Sequence, residues 1–460
     1  MSAHWSRRDV LKSLGLAAGA SLLPGAVQTQ TAPAARSFPP NYTPPARHIL
    51  LTKPVTAIVI GAGRRGRAYG NFAAQHSDQL DIIGVAEPVP VRNKRYSETH
   101  AIPADHRFET WEHVFNQPKF ADAVIITTPD QLHYGPCMAA LRAGYDVLLE
   151  KPVAPTEQQC RDILALANQS GRIVAVCHVL RYAPYFVKLR EIIQSGVLGQ
   201  VVSLQHLEPM GFEHMTHSYV RGPWHNSRES NPVILAKSCH DLDILRWLVD
   251  RPCRSIHAFA ELTWFKKENA PAGSTDRCSG GCAVEAQCPY SALRIYHRNR
   301  RYLAHFDLPE EKDKQGDAIL GYLKDTNYGR CVYRMDNDQP DHYVTNIQFE
   351  GGITASFSME GLTSYQRRRT RVMGSLGDVV GDMNQLVVTN YLTGQETLWT
   401  QDTDGHGGGD FPLVADWVQA ITQQDPSLLS SPIGQSIESH IMGFMAERSR
   451  KENQVMSVRL

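Results

Sequence analysis

The stretch that decides the fold is Val55-Thr-Ala-Ile-Val-Ile-Gly61-Ala-Gly63-Arg64-Arg65-Gly66. A β-branched apolar run ends at a glycine, and a G-x-G-x-x-G spacing then leads into a segment that suits a helix. The first glycine makes a tight turn, the second lets the backbone approach a pyrophosphate, and the third allows close packing of strand and helix. The unpaired N–H groups of the helix N-terminus then face the phosphates. This stretch predicts a dinucleotide site.

A second predicted strand, Leu80 to Glu87, ends in a carboxylate. It lies about 20 residues beyond the glycines, where an acidic side chain binds a ribose 2′-hydroxyl. A carboxylate there repels a 2′-phosphate, so Glu87 favours NAD, whereas the cations Arg64, Arg65 and Arg92 favour NADP. The sequence predicts NAD, with NADP as the alternative.

Length and charge narrow the classes of function. The chain has 460 residues, with 47 basic and 47 acidic side chains and a formal net charge of zero. This length allows two or three domains. The balanced charge argues against a nucleic-acid partner. Because no apolar run reaches the roughly 18–20 residues of a membrane span, none is expected.

The N-terminus has the pattern of an export signal. Ser6-Arg7-Arg8-Asp9 precedes a mild apolar run over residues 14–23 and then small residues. Paired arginines before such a run are typical of a twin-arginine signal peptide, which we assign to residues 1–34. Residues 35–53 form a proline-rich arm. The signal predicts a periplasmic or secreted protein that is exported folded, with its cofactor in place.

Alternating strands and helices continue to residue 177. Apolar strands are predicted over residues 122–128, 146–150 and 173–177. This alternation over residues 54–177 predicts a parallel sheet with helices on both faces, as in a Rossmann domain. Ligands of such sheets bind beyond the carboxyl ends of the strands. The residues at these ends are Glu87, Thr128, Pro129, Glu150 and Lys151.

An ordered set of motifs resembles the Gfo/Idh/MocA oxidoreductases, the family of glucose–fructose oxidoreductase and inositol dehydrogenase. The set comprises Gly61-Ala-Gly63-Arg-Arg-Gly66, Ala86-Glu87-Pro88, Thr128-Pro129-Asp130-Gln-Leu-His133, Glu150-Lys151-Pro152, Gly196-Val-Leu-Gly199 and His240-Asp-Leu-Asp243. The resemblance implies that the Rossmann domain is followed, over residues 178–460, by an α/β domain with an open, mostly antiparallel sheet. It also implies a nicotinamide cofactor between the two domains. The residues expected to bind this cofactor are Gly61, Gly63, Arg64, Arg65, Gly66, Glu87, Arg92, Thr128, Pro129, His133, Glu150 and Lys151.

Candidate catalytic residues follow from the chemistry that the resemblance implies. Hydride transfer from a carbinol needs a group that takes the hydroxyl proton, and Lys151 matches the lysine of the family's Glu-Lys-Pro motif. Lys237 and His240 form a second pair, because residues three apart share a face of a helix. Many relatives carry an aspartate four residues before this histidine, where this chain has Ala236. Lys237 is the candidate to replace that aspartate.

Histidine, aromatic and arginine side chains are interleaved in the second domain, which suits stacking on a sugar and hydrogen bonding to it. A polar surface loop is the alternative interpretation. Asp243 is expected to cap its helix rather than to bind substrate. His406 lies in a glycine run that resembles the NAD-dependent glycosidase branch of the family, and a flexible loop is the alternative there. The candidate substrate-binding residues are Arg181, Tyr182, His206, Glu208, Tyr219, Trp224, Asp241 and His406.

An insertion over about residues 265–335 holds four of the nine cysteines, Cys278, Cys282, Cys288 and Cys331. Its Cys-Pro-Tyr-Ser sequence resembles an exported subgroup of the family. Four thiolates would close a structural zinc site. Two disulfides or unpaired thiols are the alternatives.

Two enzymatic functions and one binding function remain open. The first is an exported NAD(P)-dependent sugar oxidoreductase whose cofactor is tightly bound and internally recycled, since free nicotinamide nucleotides should be scarce outside the cytoplasm. The second is an NAD-dependent redox-neutral glycosidase, which oxidises the sugar transiently, eliminates the aglycone, adds water and reduces again. The third is a non-catalytic sugar-binding protein. A homo-oligomer through the C-terminal sheet and the proline-rich arm is also expected.

Overall fold

Residues 53–365, 367–401 and 408–460 are described in a computed structural model of the chain. The predicted signal peptide, most of the proline-rich arm and His406 lie outside the described residues.

The N-terminal part forms a parallel sheet with the strand order β3-β2-β1-β4-β5-β6. Its strands are β1 (Val55–Ile60), β2 (Leu80–Ala86), β3 (Arg107–Phe108), β4 (Ala123–Ile126), β5 (Asp146–Leu149) and β6 (Val174–Val176). Its helices are α1 (Arg64–Gln75), α2 (Pro90–Thr99), α3 (Trp111–Phe115), α4 (Tyr134–Arg142) and α5 (Glu157–Ser170). Strand order reverses between β1 and β4, which places the ligand crevice beside the glycine turn. The predicted Rossmann-type sheet is confirmed.

The second sheet is mostly antiparallel, with the order β14-β13-β12-β11-β7-β10-β9-β8-β15, and only β7 and β10 pair in parallel within it. Its strands are β7 (Val201–Pro209), β8 (Cys253–Glu261), β9 (His342–Phe349), β10 (Thr354–Glu360), β11 (Arg369–Gly374), β12 (Gly377–Gly381), β13 (Gln385–Asn390), β14 (Glu396–Thr400) and β15 (Met456–Ser457). The longer helices of this part are α6 (Pro184–Gln194), α7 (Cys239–Val249), α8 (Gln315–Asp325), α9 (Asp410–Gln423) and α10 (Ile433–Glu452). The consecutive strands β9 and β10, and likewise β11 and β12, form antiparallel hairpins. Alternate residues of β9 are buried, so one face of this sheet packs on the core and the other is open.

The C-terminal helices pack on both sheets. Helix α10 packs along β8 of the antiparallel sheet. Helix α9 instead joins the apolar cluster of the parallel sheet, where Leu413, Val414 and Trp417 contact the core around Val59 and Tyr69. Gly409 occupies the N-cap of α9, and Asp410 is the first residue of the helix. Asp410 thereby faces the glycine turn.

Among the described residues, no helix combines the length and the apolar character that a membrane crossing requires.

We expect Trp417→Ala to lower the free energy of unfolding by about 3–5 kcal/mol, because it empties a large volume in a packed core. Trp417 has no exposed surface, whereas Trp264 is 40% exposed. Trp264→Ala is therefore the control, with a clearly smaller expected loss. Urea unfolding of both variants measures the difference, and equal losses would show that α9 contributes little to the core.

Candidate active site

The glycine turn between β1 and α1 has the geometry that a pyrophosphate needs. Gly61 has a φ of +98°, and a Cβ atom built on it would lie 2.8 Å from the carbonyl carbon of Thr127. A Cβ atom on Gly66 would collide with the carbonyl oxygen of Gly61. Gly63, in contrast, has no atom within 4 Å of a built Cβ, so a ligand can approach its backbone. Because α1 begins directly after Gly63, its first N–H groups point to this open space.

Arg65 and Glu150 were predicted to bind the cofactor, but each is used by the protein itself. Arg65 Nε lies 2.5 Å from Glu150 Oε1, and Arg65 Nη2 lies 2.7 Å from Asp410 Oδ1. The hydroxyl of Tyr69 donates to the same Glu150 oxygen at 2.7 Å. Burial opposes ionisation of Glu150, yet Arg65 and Lys151 bring its pKa below the usual value. This network joins the glycine turn to the end of β5 and to α9.

Glu87 and Arg92 are also engaged within the chain. Glu87 is 5% exposed. Its two carboxylate oxygens accept the backbone N–H groups of Ala62 at 2.7 Å and Val89 at 2.9 Å. Arg92 Nη2 lies 2.7 Å from Asp307 Oδ2 of the insertion. The carboxylate predicted to bind ribose therefore shapes the backbone of the glycine turn.

Lys151 lies in a cavity of about 280 Å³ at the carboxyl ends of the parallel strands. Its Nζ donates to the carbonyl oxygen of Ala236 at 2.8 Å. The cavity brings together several residues that the sequence analysis predicts, namely Arg64, Thr128, Pro129, His133, Trp224 and His240. The edge of the parallel sheet and the second domain thus meet at Lys151.

Two histidines fix the backbone around Lys151. His133 Nδ1 lies 2.7 Å from the carbonyl oxygen of Pro152, and its Nε2 lies 2.9 Å from that of Thr128. The N–H of Val153 donates to His440 Nε2 at 3.0 Å. The Lys151–Pro152 peptide bond is cis. His133, predicted as a cofactor ligand, is 1% exposed and positions the backbone of this turn instead.

Lys237 belongs to a buried charge network that sequence reasoning found only in part. Lys237 Nζ lies 3.1 Å from Glu208 Oε1. Arg368 bridges Glu208 and Asp241, with 2.6 Å to each carboxylate. His206 Nε2 lies 3.0 Å from Asp241 Oδ1. Arg368 precedes β11, and no motif marked it in the sequence.

The contacts in this network differ from the roles that the sequence predicts for Asp241, His206 and Lys237. Asp241 has no exposed surface and His206 is 3% exposed, so these two predicted substrate-binding residues are held inside the network. Although burial opposes ionisation of Asp241, Arg368 and His206 hold its pKa well below the usual value. Burial lowers the pKa of Lys237 despite the nearby Glu208. Lys237 precedes α7 while His240 lies in its first turn, so the predicted shared helical face was also wrong.

Arg181 and Tyr182 are structural residues. Arg181 has no exposed surface and donates to both oxygens of Asp243, each at 2.7 Å. The hydroxyl of Tyr182 lies 3.1 Å from Ser431 Oγ, inside the protein. Both were predicted to bind substrate, and in the structure both side chains are bonded within the protein. Asp243 is structural as predicted, but it pairs with Arg181 in the middle of α7 rather than capping the helix.

Aromatic side chains form one wall of the cleft. Tyr219 stacks on Trp224 at 5.9 Å between ring centroids. Trp224 Nε1 donates to Asp130 Oδ2 at 2.9 Å, which links this wall to the parallel sheet. In the same segment, burial and the nearby Lys237 hold the pKa of His214 well below the usual value.

The structure does not support the predicted zinc site. The four cysteines line one cavity of about 20 Å³ as free thiols. Among the described residues, no group of three His, Cys, Asp or Glu side chains is placed to hold a metal ion, and no disulfide is formed. Arg221 instead crosses this segment, donating to the carbonyl oxygens of Tyr290 and Arg330, each at 2.8 Å, and lying 3.7 Å from Cys278 Sγ. The guanidinium group of Arg221 thus holds the insertion by hydrogen bonds at the position where a zinc ion was predicted.

The chain is similar to proteins of one oxidoreductase family in both of its parts. Residues 55–178 match the model of an oxidoreductase family with an NAD-binding Rossmann fold, and residues 186–291 match that of the GFO/IDH/MocA C-terminal domain. YteT of Bacillus subtilis is 24% identical over 384 residues, which is 78% of this chain and 87% of YteT. The 2,7-anhydro-N-acetylneuraminate hydratase of Mediterraneibacter gnavus is 26% identical over 197 residues, 43% of this chain and 50% of the hydratase. An inositol dehydrogenase homologue of Azotobacter vinelandii, solved with NADH and myo-inositol, has the same fold, with a TM-score of 0.62 at 14% identity over 88% of this chain and 98% of that one.

A buried histidine cluster behind Lys151 predicts loss of stability in acid. Burial lowers the pKa of His178 to about 3 and that of His440 to about 4. An unfolded histidine titrates near pH 6.5, so below that pH the unfolded state binds protons that the folded state excludes. We therefore expect the free energy of unfolding to fall as the pH falls from about 6.5 towards 4.

His178→Asn should reduce this pH dependence, because it removes one of the two excluded protons. His113→Asn is the control, since His113 is exposed on α3. Urea unfolding at several pH values between about 4 and 7 measures the slopes. An unchanged slope in His178→Asn would contradict the assignment of a neutral buried imidazole.

Proposed function

Because the chain belongs to the Gfo/Idh/MocA oxidoreductase family, we propose that it transfers hydride between a sugar or sugar derivative and a nicotinamide dinucleotide that stays bound between turnovers. One observation carries this proposal. Lys151, the candidate base, lies in the same cavity as Arg64, which begins the helix after the glycine turn. A single dinucleotide can therefore contact the glycine turn and still reach Lys151.

The side chains around Lys151 suit proton transfer from a carbinol. A bound nicotinamide supplies the hydride acceptor. Lys151 Nζ now donates to the carbonyl oxygen of Ala236, and a sugar hydroxyl entering the cavity can replace that partner. In its amine form Lys151 then takes the hydroxyl proton. His240 lines the same cavity and is the second group that can exchange a proton there.

Substrate contacts are proposed for the aromatic wall and for the Lys237–Glu208 pair. Trp224 offers a flat apolar surface on which a sugar ring can stack. Glu208 is 4% exposed and bonded to Lys237 and Arg368, so it acts by fixing Lys237 rather than by direct contact. Lys237 is the cation available to hydroxyl or carboxylate groups of a substrate.

Export and self-association are part of the proposal. The twin-arginine pattern around Arg7 and Arg8 supports passage of the folded chain into the periplasm, with the cofactor already bound. The open face of the antiparallel sheet exposes Phe259, Val344 and Leu398, which supports pairing with a second copy. Cell fractionation and the mass of the purified chain in solution test these two points; a cytoplasmic monomer would contradict both.

A redox-neutral reaction is the second candidate function. The relative from Mediterraneibacter gnavus is a hydratase, so matching residues occur in a protein named for a reaction without net oxidation. A transient oxidation of the sugar beside Lys151, followed by elimination of the aglycone, addition of water and re-reduction, would use the same cavity. A glycosidase of this kind would also keep its cofactor bound.

The decisive experiment starts from the full chain purified without added nucleotide. Mass spectrometry identifies any nucleotide that denaturation releases, and free sugars and aryl glycosides are then screened as substrates. Net reduction of the bound cofactor by a free sugar supports the oxidoreductase, whereas release of the aglycone without net reduction supports the glycosidase. If no nucleotide is bound and none stabilises the fold, both enzymatic functions fail and sugar binding alone remains.

Lys151→Ala should keep the bound nucleotide and lose turnover by about a hundredfold or more, because it removes a positioned proton acceptor. Lys119→Ala is the matched control, since Lys119 is an exposed lysine of the same domain that donates to the carbonyl oxygen of Gly144. Turnover and bound nucleotide are measured on both variants. Full activity of Lys151→Ala would refute the proposed role.

A further inference from the structure

The nine cysteines of the chain fall into two groups that differ in exposure. Five are at most 4% exposed, namely Cys137, Cys160, Cys177, Cys239 and Cys253. Burial raises the pKa of Cys137 and that of Cys160 to about 12, so these thiols stay protonated. In the insertion, by contrast, Cys278, Cys282 and Cys288 are half-buried and free. Reagents in solution therefore reach the thiols of the insertion first.

The thiols of the insertion are close neighbours. With Cys331 they surround a single cavity of about 20 Å³, which we call the thiol cavity. A space of this size holds about one water molecule, so no further ligand separates the sulfur atoms. Burial raises the pKa of Cys288, and the nearby Cys278 raises it further, as expected for two sulfur atoms that interact.

Two N–H donors converge on the sulfur atom of Cys278. The backbone N–H of Ala292 lies 3.4 Å from Cys278 Sγ, and Arg221 Nη2 lies 3.7 Å from it. Such donors stabilise negative charge on sulfur, and a partly exposed cysteine beside an arginine is typical of reactive thiols. Within the described part of the chain, Cys282 accepts no comparable hydrogen bond. Cys278 is thus distinguished from its neighbour by its contacts.

Arg221 needs a negative partner that Cys278 can supply. Its side chain is 1% exposed, and among the described residues it forms no ion pair with a carboxylate. Glu285 lines the thiol cavity, but its carboxylate is paired with Arg298 at 2.6 Å. A buried cation without an opposite charge is costly, so Arg221 favours a negatively charged sulfur at Cys278.

Cys288 is held against Cys278 by a tight turn. The N–H of Ser291 donates to the carbonyl oxygen of Cys288 at 3.3 Å. The next residue, Ala292, provides the N–H that contacts Cys278 Sγ. The turn that carries Cys288 is therefore the segment packed against Cys278.

Cys331 is less suited to pair with Cys278. The two residues follow Arg277 and Arg330, which face each other in an antiparallel bridge, so they are diagonal neighbours. Diagonal neighbours in such a pair are about 7–8 Å apart, too far for a disulfide unless the backbone moves.

We infer that Cys278 and Cys288 form a redox-active dithiol, in which Cys278 reacts first and Cys288 closes an intramolecular disulfide. This inference is independent of the nucleotide and of the sugar chemistry in the proposed function.

The reaction partner is a disulfide-bearing oxidant. Cys278 Sγ attacks one sulfur atom of the oxidant, and the other sulfur atom leaves and is protonated to a thiol. Cys288 Sγ then attacks Cys278 Sγ, its proton passes to the departing sulfur, and the second thiol of the oxidant is released. The two protein thiols lose two electrons, and the disulfide of the oxidant gains them.

The test uses the full chain, reduced and then incubated with glutathione disulfide. Free thiols are alkylated, and the chain is cleaved after Arg277 and Arg294 and then after Glu285. We expect the peptides 278–285 and 286–294 to remain joined by a disulfide until a reductant is added. Alkylation of the reduced chain with limiting iodoacetamide should label Cys278 about threefold or more above Cys282.

Three single variants assign the two roles. Cys278→Ser should abolish both the glutathione adduct and the disulfide. Cys288→Ser should stop the reaction at a stable Cys278–glutathione adduct, because no second thiol resolves it. Cys282→Ser is the matched control, a half-buried thiol of the same cavity, and its disulfide should form at a rate within about twofold of the unmodified chain.

Four results would overturn the inference. The first is complete alkylation of all nine cysteines after incubation with glutathione disulfide. The second is a disulfide that joins Cys278 to Cys331, and the third is a disulfide lost in Cys282→Ser but kept in Cys278→Ser. The fourth is stoichiometric zinc in the purified chain that protects these thiols from alkylation.

Discussion

The side chain of Arg65 connects three parts of the chain that are far apart in sequence. Its guanidinium contacts Glu150 at the end of β5 and Asp410 at the start of α9, and it shares Glu150 with the hydroxyl of Tyr69. The glycine turn, the Lys151 turn and helix α9 are thereby fixed to one another. A buried charge left without its partner is strongly destabilising. Removing any one of these side chains therefore weakens the other contacts of the network. The glycine turn and the Lys151 turn, which border the predicted cofactor site, depend on this network. Its two carboxylates, Glu150 and Asp410, are both bonded to Arg65.

The chemistry of the site follows from how the backbone around Lys151 is fixed. His133 and His440 bind the carbonyl oxygen and the N–H of the Pro152–Val153 peptide group, which directly follows Lys151–Pro152, so the lysine enters the cavity from a fixed turn. On the opposite side, Arg368 and Glu208 hold Lys237 near the same cleft. Two lysines thus approach from two domains, each oriented by buried partners. Such pre-organisation lets a proton acceptor work without first rearranging its surroundings.

Sequence reasoning found the parallel sheet, the glycine turn and Lys151 because each depends on local spacing: a strand, a tight turn and a strand end. It failed where a role depends on contacts distant in sequence. Glu150 and Arg181 have the chemistry of ligands, but burial pairs them with Arg65 and Asp243. Arg368 lies outside every motif and gains its role only because β11 pairs with β7 beside Glu208. The cysteine spacing suggested zinc, whereas the side chain that crosses that segment is an arginine from elsewhere in the sequence.

The central claim is that one dinucleotide runs past Gly63 to Lys151 and stays there. A crystal structure of the full chain, purified without added nucleotide, tests this most directly. The account predicts a bound dinucleotide with its pyrophosphate on the first N–H groups of α1 and its nicotinamide ring beside Lys151 Nζ. An ordered glycine turn with no nucleotide, or a nicotinamide ring facing away from Lys151, would contradict it.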